Sequence, residues 1–252
     1  MNNYNIRHRH FRDDALQFNA DDHTYWVDGV EFDSVTNVIE SCFEQFDAEY
    51  WAERKATPDH TKEMILAEWE AKGAAARNLG TEMHDRIERY YLGQPVEPQW
   101  MADGSFQRFA AFATDIRLCP FRSEWRIFHE ESRMAGTLDF LALRPDGKVD
   151  IWDWKRSSKI VDSLGNPIDY NSYGKTALEP LGHLPDTVYH HYALQVSIYR
   201  YILETKYDLQ VVSGHLGIFH PDHRRYFTVT LPYLKDEVET IIRRRKALSQ
   251  QP

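Results

Sequence analysis

The sequence predicts an α/β fold of the α+β kind, a central mixed sheet flanked by helices. Three observations lead there. Segments of helical period fill much of the first 118 residues. Three strand-like runs follow in close succession, EWRIFHEE, GTLDFLAL and KVDIWDWK, between residues 124 and 155. A long helical stretch over 187–207 then separates them from two further strand-like runs and a closing helix.

Each element has a local reason. HTYWVDGVEF (23–32) reads as a hairpin turning at Asp28-Gly29. Ser34 is placed to cap a short helix, SVTNVIESCF. DAEYWAERKA (47–56) is a second helix, and residues 60–78 after Pro58 a third, rich in charge. Gly80 is expected to open a fourth, GTEMHDRIERYYLG, which stops at Gly93. SFQRFAAFATDIRL (105–118) has an amphipathic helical pattern. Residues 156–186 are polar with scattered Gly and Pro, which predicts a surface loop. VVSGHLGIF and RRYFTVTL are the last two strands. PYLKDEVETIIRRRKAL is the closing helix, with Pro232 near its first turn.

The length, 252 residues, suits a single domain: a hairpin and helical part over 1–118, then a core over 119–252. With 42% hydrophobic and 13% aromatic residues, the chain can bury a sizeable core, which argues against disorder. The net charge of −9 argues against a protein that coats nucleic acid non-specifically. It does not argue against an enzyme acting on nucleic acid, whose acidic ligands are neutralised by cations. Cys42 and Cys119 form no CxxC pair, which excludes an iron–sulfur cluster or a four-cysteine zinc site. No apolar run approaches membrane-spanning length, and MNNYNIRHRHFRDD lacks the apolar segment of a secretory signal. The expectation is a cytoplasmic, reducing setting with no membrane partner.

The most informative stretch is AGTLDFLALRPDGKVDIWDWKRS (135–157). Pro145-Asp146-Gly147 suits a three-residue hairpin loop, a type I turn followed by Gly in the left-handed region. That register pairs Arg144 with Lys148 and sets Asp139 opposite Asp153 on one side of the sheet. Lys155 lies on the same side as Asp153, while Trp152 and Trp154 point to the other and can bury. Two facing carboxylates repel unless a cation sits between them. Mg²⁺ or Mn²⁺, one ion or two, favours such oxygen donors, and the Trp154 carbonyl is a further candidate ligand. A lysine beside them orients water or neutralises phosphate, so these parts together describe metal-assisted phosphodiester hydrolysis.

Here the chain resembles the PD-(D/E)XK nuclease superfamily, in particular its RecB-like exonucleases of viral, phage and bacterial type. Four motifs occur in the expected order. Gly80-Thr81-Glu82-Met83-His84 is similar to the G-x-x-x-H helix motif, and Gly136-Thr137-Leu138-Asp139 to G-x-x-D. Asp153-Trp154-Lys155 is similar to D-x-K, and Gln195-Val196-Ser197-Ile198-Tyr199 to the Q-x-x-x-Y helix motif. The resemblance implies a restriction-endonuclease-like core with an N-terminal helical elaboration. It implies His84, Asp139 and Asp153 as metal ligands with the Trp154 carbonyl, Lys155 as the catalytic lysine, and Gln195 and Tyr199 as residues that shape the site and position DNA. It also implies an upstream acid. Glu124, at the start of EWRIFHEE, is the choice, with Glu130 and Glu131 left open.

Arg156, Ser157 and Lys159 follow the lysine and are candidate phosphate contacts, with Lys175 a further one. Glu88, one turn after His84, is a candidate partner for it. Trp51 and Trp69 are candidates for stacking on unpaired bases. The paired histidines at 8 and 10, 190 and 191, and 220 and 223 lack a second pair at zinc spacing and read as surface residues. The functional expectation is a metal-dependent DNA exonuclease of recombination, repair or replication, with DNA and an annealing or recombination protein as partners. The alternatives are a structure-specific endonuclease and an inactive nucleic-acid-binding scaffold with a nuclease-like fold.

Overall fold

The computed structural model describes residues 3–20 and 22–249. A short helix, α1 (Tyr4–Arg7), precedes an antiparallel meander of β1 (Leu16–Asn19), β2 (Thr24–Val27) and β3 (Val30–Ser34). The β2–β3 turn is the expected two-residue Asp28-Gly29 loop, with both residues at positive φ, 50° and 78°. Ser34 then caps α2 (Val35–Glu40) by accepting from the Asn37 N–H, as anticipated. Asp47 caps α3 (Ala48–Lys55) in the same way through Tyr50.

The next helix departs from expectation. Gly80 opens nothing: α4 is one continuous helix of 30 residues, Lys62–Tyr91, capped by Thr61. Glycine in a helix interior costs only about 1 kcal/mol, too little to break a run bordered by strong helix formers. α5 (Gly104–Asp115) follows and is capped by Asp103.

The core sheet is built on β4 (Pro120–His129), β5 (Met134–Leu143) and β6 (Val149–Lys155). β4 begins four residues before Glu124, which therefore lies inside the strand, while Glu130 and Glu131 fall in a 3-10 turn beyond it. The hairpin register is the one the turn residues dictate. Gly147 has φ +80°, Arg144 N–H donates to the Lys148 carbonyl at 2.9 Å, and Leu143, Ala142, Leu141 and Phe140 face Val149, Asp150, Ile151 and Trp152. After the long connection comes α6 (Val188–Lys206), then β7 (Val211–Ile218), β8 (Phe227–Leu231) and α7 (Lys235–Ser249). Pro232 lies three residues ahead of α7. Its carbonyl accepts from Ser197.

These eight strands make one open mixed sheet, in the order β1-β2-β3-β5-β6-β7-β8 with β4 on β5. β3 pairs parallel with the start of β5, and β6 parallel with β7. One face carries α2, α6 and α7 over an aliphatic core that includes Leu141, Ile151, Ile198, Ile202 and Leu216. The other carries α4 and α5 over an aromatic cluster of Phe106, Phe109, Phe112, Phe140, Trp152, Trp154 and Phe219. Trp152 and Trp154 thus bury on the side away from Asp153, as the strand alternation requires.

Residues 156–186 are irregular but not purely superficial. Ile160, Val161, Ala177, Leu181 and Leu184 are buried in the aliphatic core, which this segment covers as a strap. No helix among the described residues is long and apolar enough to cross a membrane.

Gly80 sits in the helix interior with open space where a Cβ would project. Gly80→Ala is therefore expected to stabilise the chain by about 0.5–1 kcal/mol in urea denaturation. Destabilisation instead would mean that α4 is interrupted there.

Candidate functional site

The site lies where the edge of β5 changes partner. On one edge β5 pairs with β4 along most of its length. On the other it pairs with β3 only at Met134 and Ala135 and with β6 only from Phe140 onward. Residues 136–139, Gly-Thr-Leu-Asp, lie in the fork between them. There a cavity of about 300 Å³ opens, lined among others by Gly80, His84, Glu124, Thr137, Asp139 and Gln195.

Three side chains converge in it. His84, Glu124 and Asp139 each offer a donor atom, all within 4.8 Å of one another. Opposite ligands of an Mg²⁺-sized ion are separated by roughly 4 Å, so the spacing suits one cation. His84 reaches in from α4, and its Nε2–H donates to the Trp154 carbonyl at 2.9 Å. That bond orients the ring and leaves Nδ1 toward the acids, 3.6 Å from Asp139 Oδ1 and 3.7 Å from Glu124 Oε1. The Trp154 carbonyl, expected as a ligand, is thus engaged by the histidine through one lone pair.

Glu124 owes its direction to strained backbone. It has φ +45° in the middle of β4, between the pairs Ser123↔Phe140 and Trp125↔Leu138. Non-glycine residues are uncommon there and persist only where the surroundings fix them. Glu130 and Glu131 point elsewhere, ion-paired with Arg12 and Lys206.

Asp139 accepts the Trp154 N–H at 2.7 Å, locking the end of the hairpin. Asp153, next along β6, is not one of the three converging donors. Its Oδ2 lies 2.6 Å from Lys155 Nζ, yet that buried oxygen has no well-directed hydrogen bond. Lys155 Nζ also stands 4.4 Å over the Tyr192 ring. Burial raises both aspartyl pKa values, against the pull of Lys155 and His84 on each. Burial opposes the charge on His84, but Asp139 and Glu124 outweigh it and lift its pKa to about 9. Three carboxylates face one lysine, so with His84 neutral the cluster lacks two positive charges, the amount a divalent cation supplies.

The fourth motif meets the second directly. Tyr199 is buried, its hydroxyl accepting from Gln195 Nε2 at 3.2 Å, and its ring lies against Gly136. A Cβ on Gly136 would stand 2.7 Å from Tyr199 Cε1 and 2.8 Å from its hydroxyl. Gln195 and Thr36 also line an adjoining cavity of about 250 Å³ with Tyr192 and His191, so the groove continues past the cluster.

The remaining candidates scatter. Arg156 Nε donates to Ser105 Oγ on α5, and Ser157 accepts from the Lys159 N–H in a local turn. Lys159 is exposed, and Lys175 pairs with Glu44. Glu88 accepts from Ser123, not from His84. Trp51 is exposed on α3, and Trp69 lies against Phe46 and beneath Lys55.

Sequence reasoning missed the N-terminal wall of the cavity, formed by His23, Tyr25, Ser34, Val35 and Thr36. It also missed Tyr192, whose ring supports Lys155. The i−3 spacing from Gln195 is the only sequence signal that could have found Tyr192.

Neither a family model nor a curated protein matches the chain. Among solved structures, it is similar to one described as the crystal structure of SSO0001. The TM-score is 0.36 and the identity 14%, covering 87% of this chain and 76% of that one.

The Gly136–Tyr199 contact reverses the usual sign of a substitution. Alanine in a strand normally improves on glycine, but Gly136→Ala is expected to cost about 1–3 kcal/mol through overpacking. Tyr199→Leu in the same chain should recover most of that loss in a double-mutant cycle read by urea denaturation. Independent, additive effects would show that the contact is not tight.

Proposed function

We propose that this chain is a divalent-metal-dependent nuclease acting on DNA ends or single strands, of the RecB-like PD-(D/E)XK kind its four motifs resemble. The observation that carries the reading is the convergence of His84, Glu124 and Asp139 beside the Asp153–Lys155 pair. An imidazole with several carboxylates suits Mn²⁺ or Mg²⁺. The undirected Asp153 Oδ2 and the missing positive charge also fit such an ion. His84, Glu124 and Asp139 would hold it, with Asp153 alongside. Bound there, the ion supplies Lewis-acid stabilisation of the charge that develops on a phosphate and lowers the pKa of water.

The chain's own groups do the rest. The Trp154 carbonyl fixes the His84 ring, so its Nδ1 is presented without rotational search. Asp153 and the Tyr192 ring hold the Lys155 ammonium at the mouth of the hairpin, where its protons orient the attacking water or face a phosphate oxygen. Gln195 lies between the two adjoining cavities and can donate to a nucleotide in either. The fork in the sheet leaves room for the strand to enter.

The test is a time course on end-labelled linear single- and double-stranded DNA, beside closed circular DNA, with Mg²⁺, Mn²⁺ or EDTA. The expected result is metal-dependent loss of linear DNA only. Lys155→Ala and Asp139→Asn should each lower the rate by at least about 100-fold without loss of fold. Full activity in either variant sinks the assignment. Nicking of circles would make the enzyme an endonuclease, and binding without any cleavage would leave an inactive scaffold.

A further inference from the structure

A second cluster of charge lies outside the cavity described above. The connection from β7 to β8, residues 219–226, leaves the sheet beside the hairpin: the Phe219 N–H donates to the Lys155 carbonyl at 2.9 Å. Arg156, the next residue after Lys155, bonds Ser105 in the first turn of α5. One turn on, Arg108 Nε donates to the His223 carbonyl at 2.8 Å, which pins the connection to the helix. Between them opens a cleft of about 580 Å³, lined by Arg108, Arg224, Arg225, Asp115 and Tyr226.

The cleft gathers positive charge in a chain whose net charge is −9. Of the nearby acids, Asp115 lines the cleft and accepts from the Tyr226 hydroxyl at 2.9 Å, and Asp222 faces His220 Nδ1 at 3.6 Å. Arg108, Arg224 and Arg225 line the cleft, with Arg156 bonded to Ser105 beside it, and none of the four guanidinium groups has a carboxylate partner among the described residues. Their planar forks match the oxygens of a phosphate.

We infer that this cleft is a phosphate-binding subsite that holds the backbone of the nucleic-acid strand away from the bond cut at Lys155. Arg156 and Arg108 link the two places through Ser105 and His223. The inference rests on the nuclease reading and adds to it where the strand runs. Guanidinium-to-phosphate contacts carry no base information, so the subsite supports binding without sequence preference.

The experiment is fluorescence anisotropy on the full chain with labelled single-stranded and duplex oligonucleotides, in EDTA, from 50 to 200 mM salt. Arg224→Ala with Arg225→Ala is expected to weaken binding about 10-fold or more. The slope of log K against log salt should fall by about 1.4 for a single strand, the loss of two phosphate contacts. Arg224→Lys with Arg225→Lys should keep most of that slope. Asp115→Asn removes the opposed charge, retains an acceptor for Tyr226, and should tighten binding. Equal urea midpoints exclude misfolding as the cause. Wild-type affinity and slope in the alanine pair, with no gain from Asp115→Asn, overturn the subsite even if linear DNA is cleaved as proposed. A wild-type chain that neither binds nor cleaves nucleic acid overturns both readings.

Discussion

The fork along β5 is the constraint on which the rest of the site depends. A strand with both edges paired has no room beside it for a ligand. Here β3 releases the edge after Ala135 and β6 takes it up at Phe140, so four residues face a gap rather than a ladder. The gap has to be closed by something other than backbone pairing. Tyr199 closes it from α6 against Gly136, and Tyr25 closes it from the meander through Thr137 at 3.0 Å. The Asp139 carboxylate closes the hairpin end by taking the Trp154 N–H. Each of these bonds also defines a wall of the cavity, so the fold and the site share their supports.

The electrostatics follow from that placement. Asp139 and Asp153 are forced into the interior by strand register, not by any attraction between them. Desolvation makes both charged forms costly, aided by repulsion from Glu124 at Asp139 and from Asp139 at Asp153. Lys155 and His84 relieve part of this, and both are themselves held in place, by Tyr192 and by the Trp154 carbonyl. The balance is incomplete: with His84 neutral, as a metal ligand would be, three carboxylates face one lysine and two positive charges are wanting, which a divalent ion would supply. In this respect the arrangement differs from an ordinary buried ion pair, in which one acid and one base satisfy each other.

Much of this was legible in the sequence because short-range chemistry fixed it. Pro145-Asp146-Gly147 forms the three-residue loop rather than a two-residue Asp-Gly turn, which would have set Asp139 and Asp153 on opposite faces. Ser34, Asp47 and Thr187 announce helix starts that the structure contains. What was not legible depends on distant partners. The positive φ of Glu124, across the ladder from Asp139, leaves no mark on the residues around it. The pairing of Ser34 with Ala135, which brings the N-terminal meander to the cavity, joins segments a hundred residues apart. Gly80 was misread for a different reason. It lines the cavity from the interior of a continuous helix, and one glycine among strong helix formers is too weak a breaker to start a new element. The strap over 156–186 looked polar because its few buried side chains are spaced irregularly, without a period to betray them.

The site also has an order of assembly. Its motif residues come from α4, β4, β5, β6 and α6, and the last of them, Tyr199, lies 115 positions after His84. Contacts of such separation form only after long loops have closed, at an entropic cost that local structure cannot offset. A chain emerging from a ribosome therefore carries the His84 helix and the hairpin well before it carries the groove. The groove is complete only once α6 has packed back onto β5, so the N-terminal three quarters of the chain cannot form it alone.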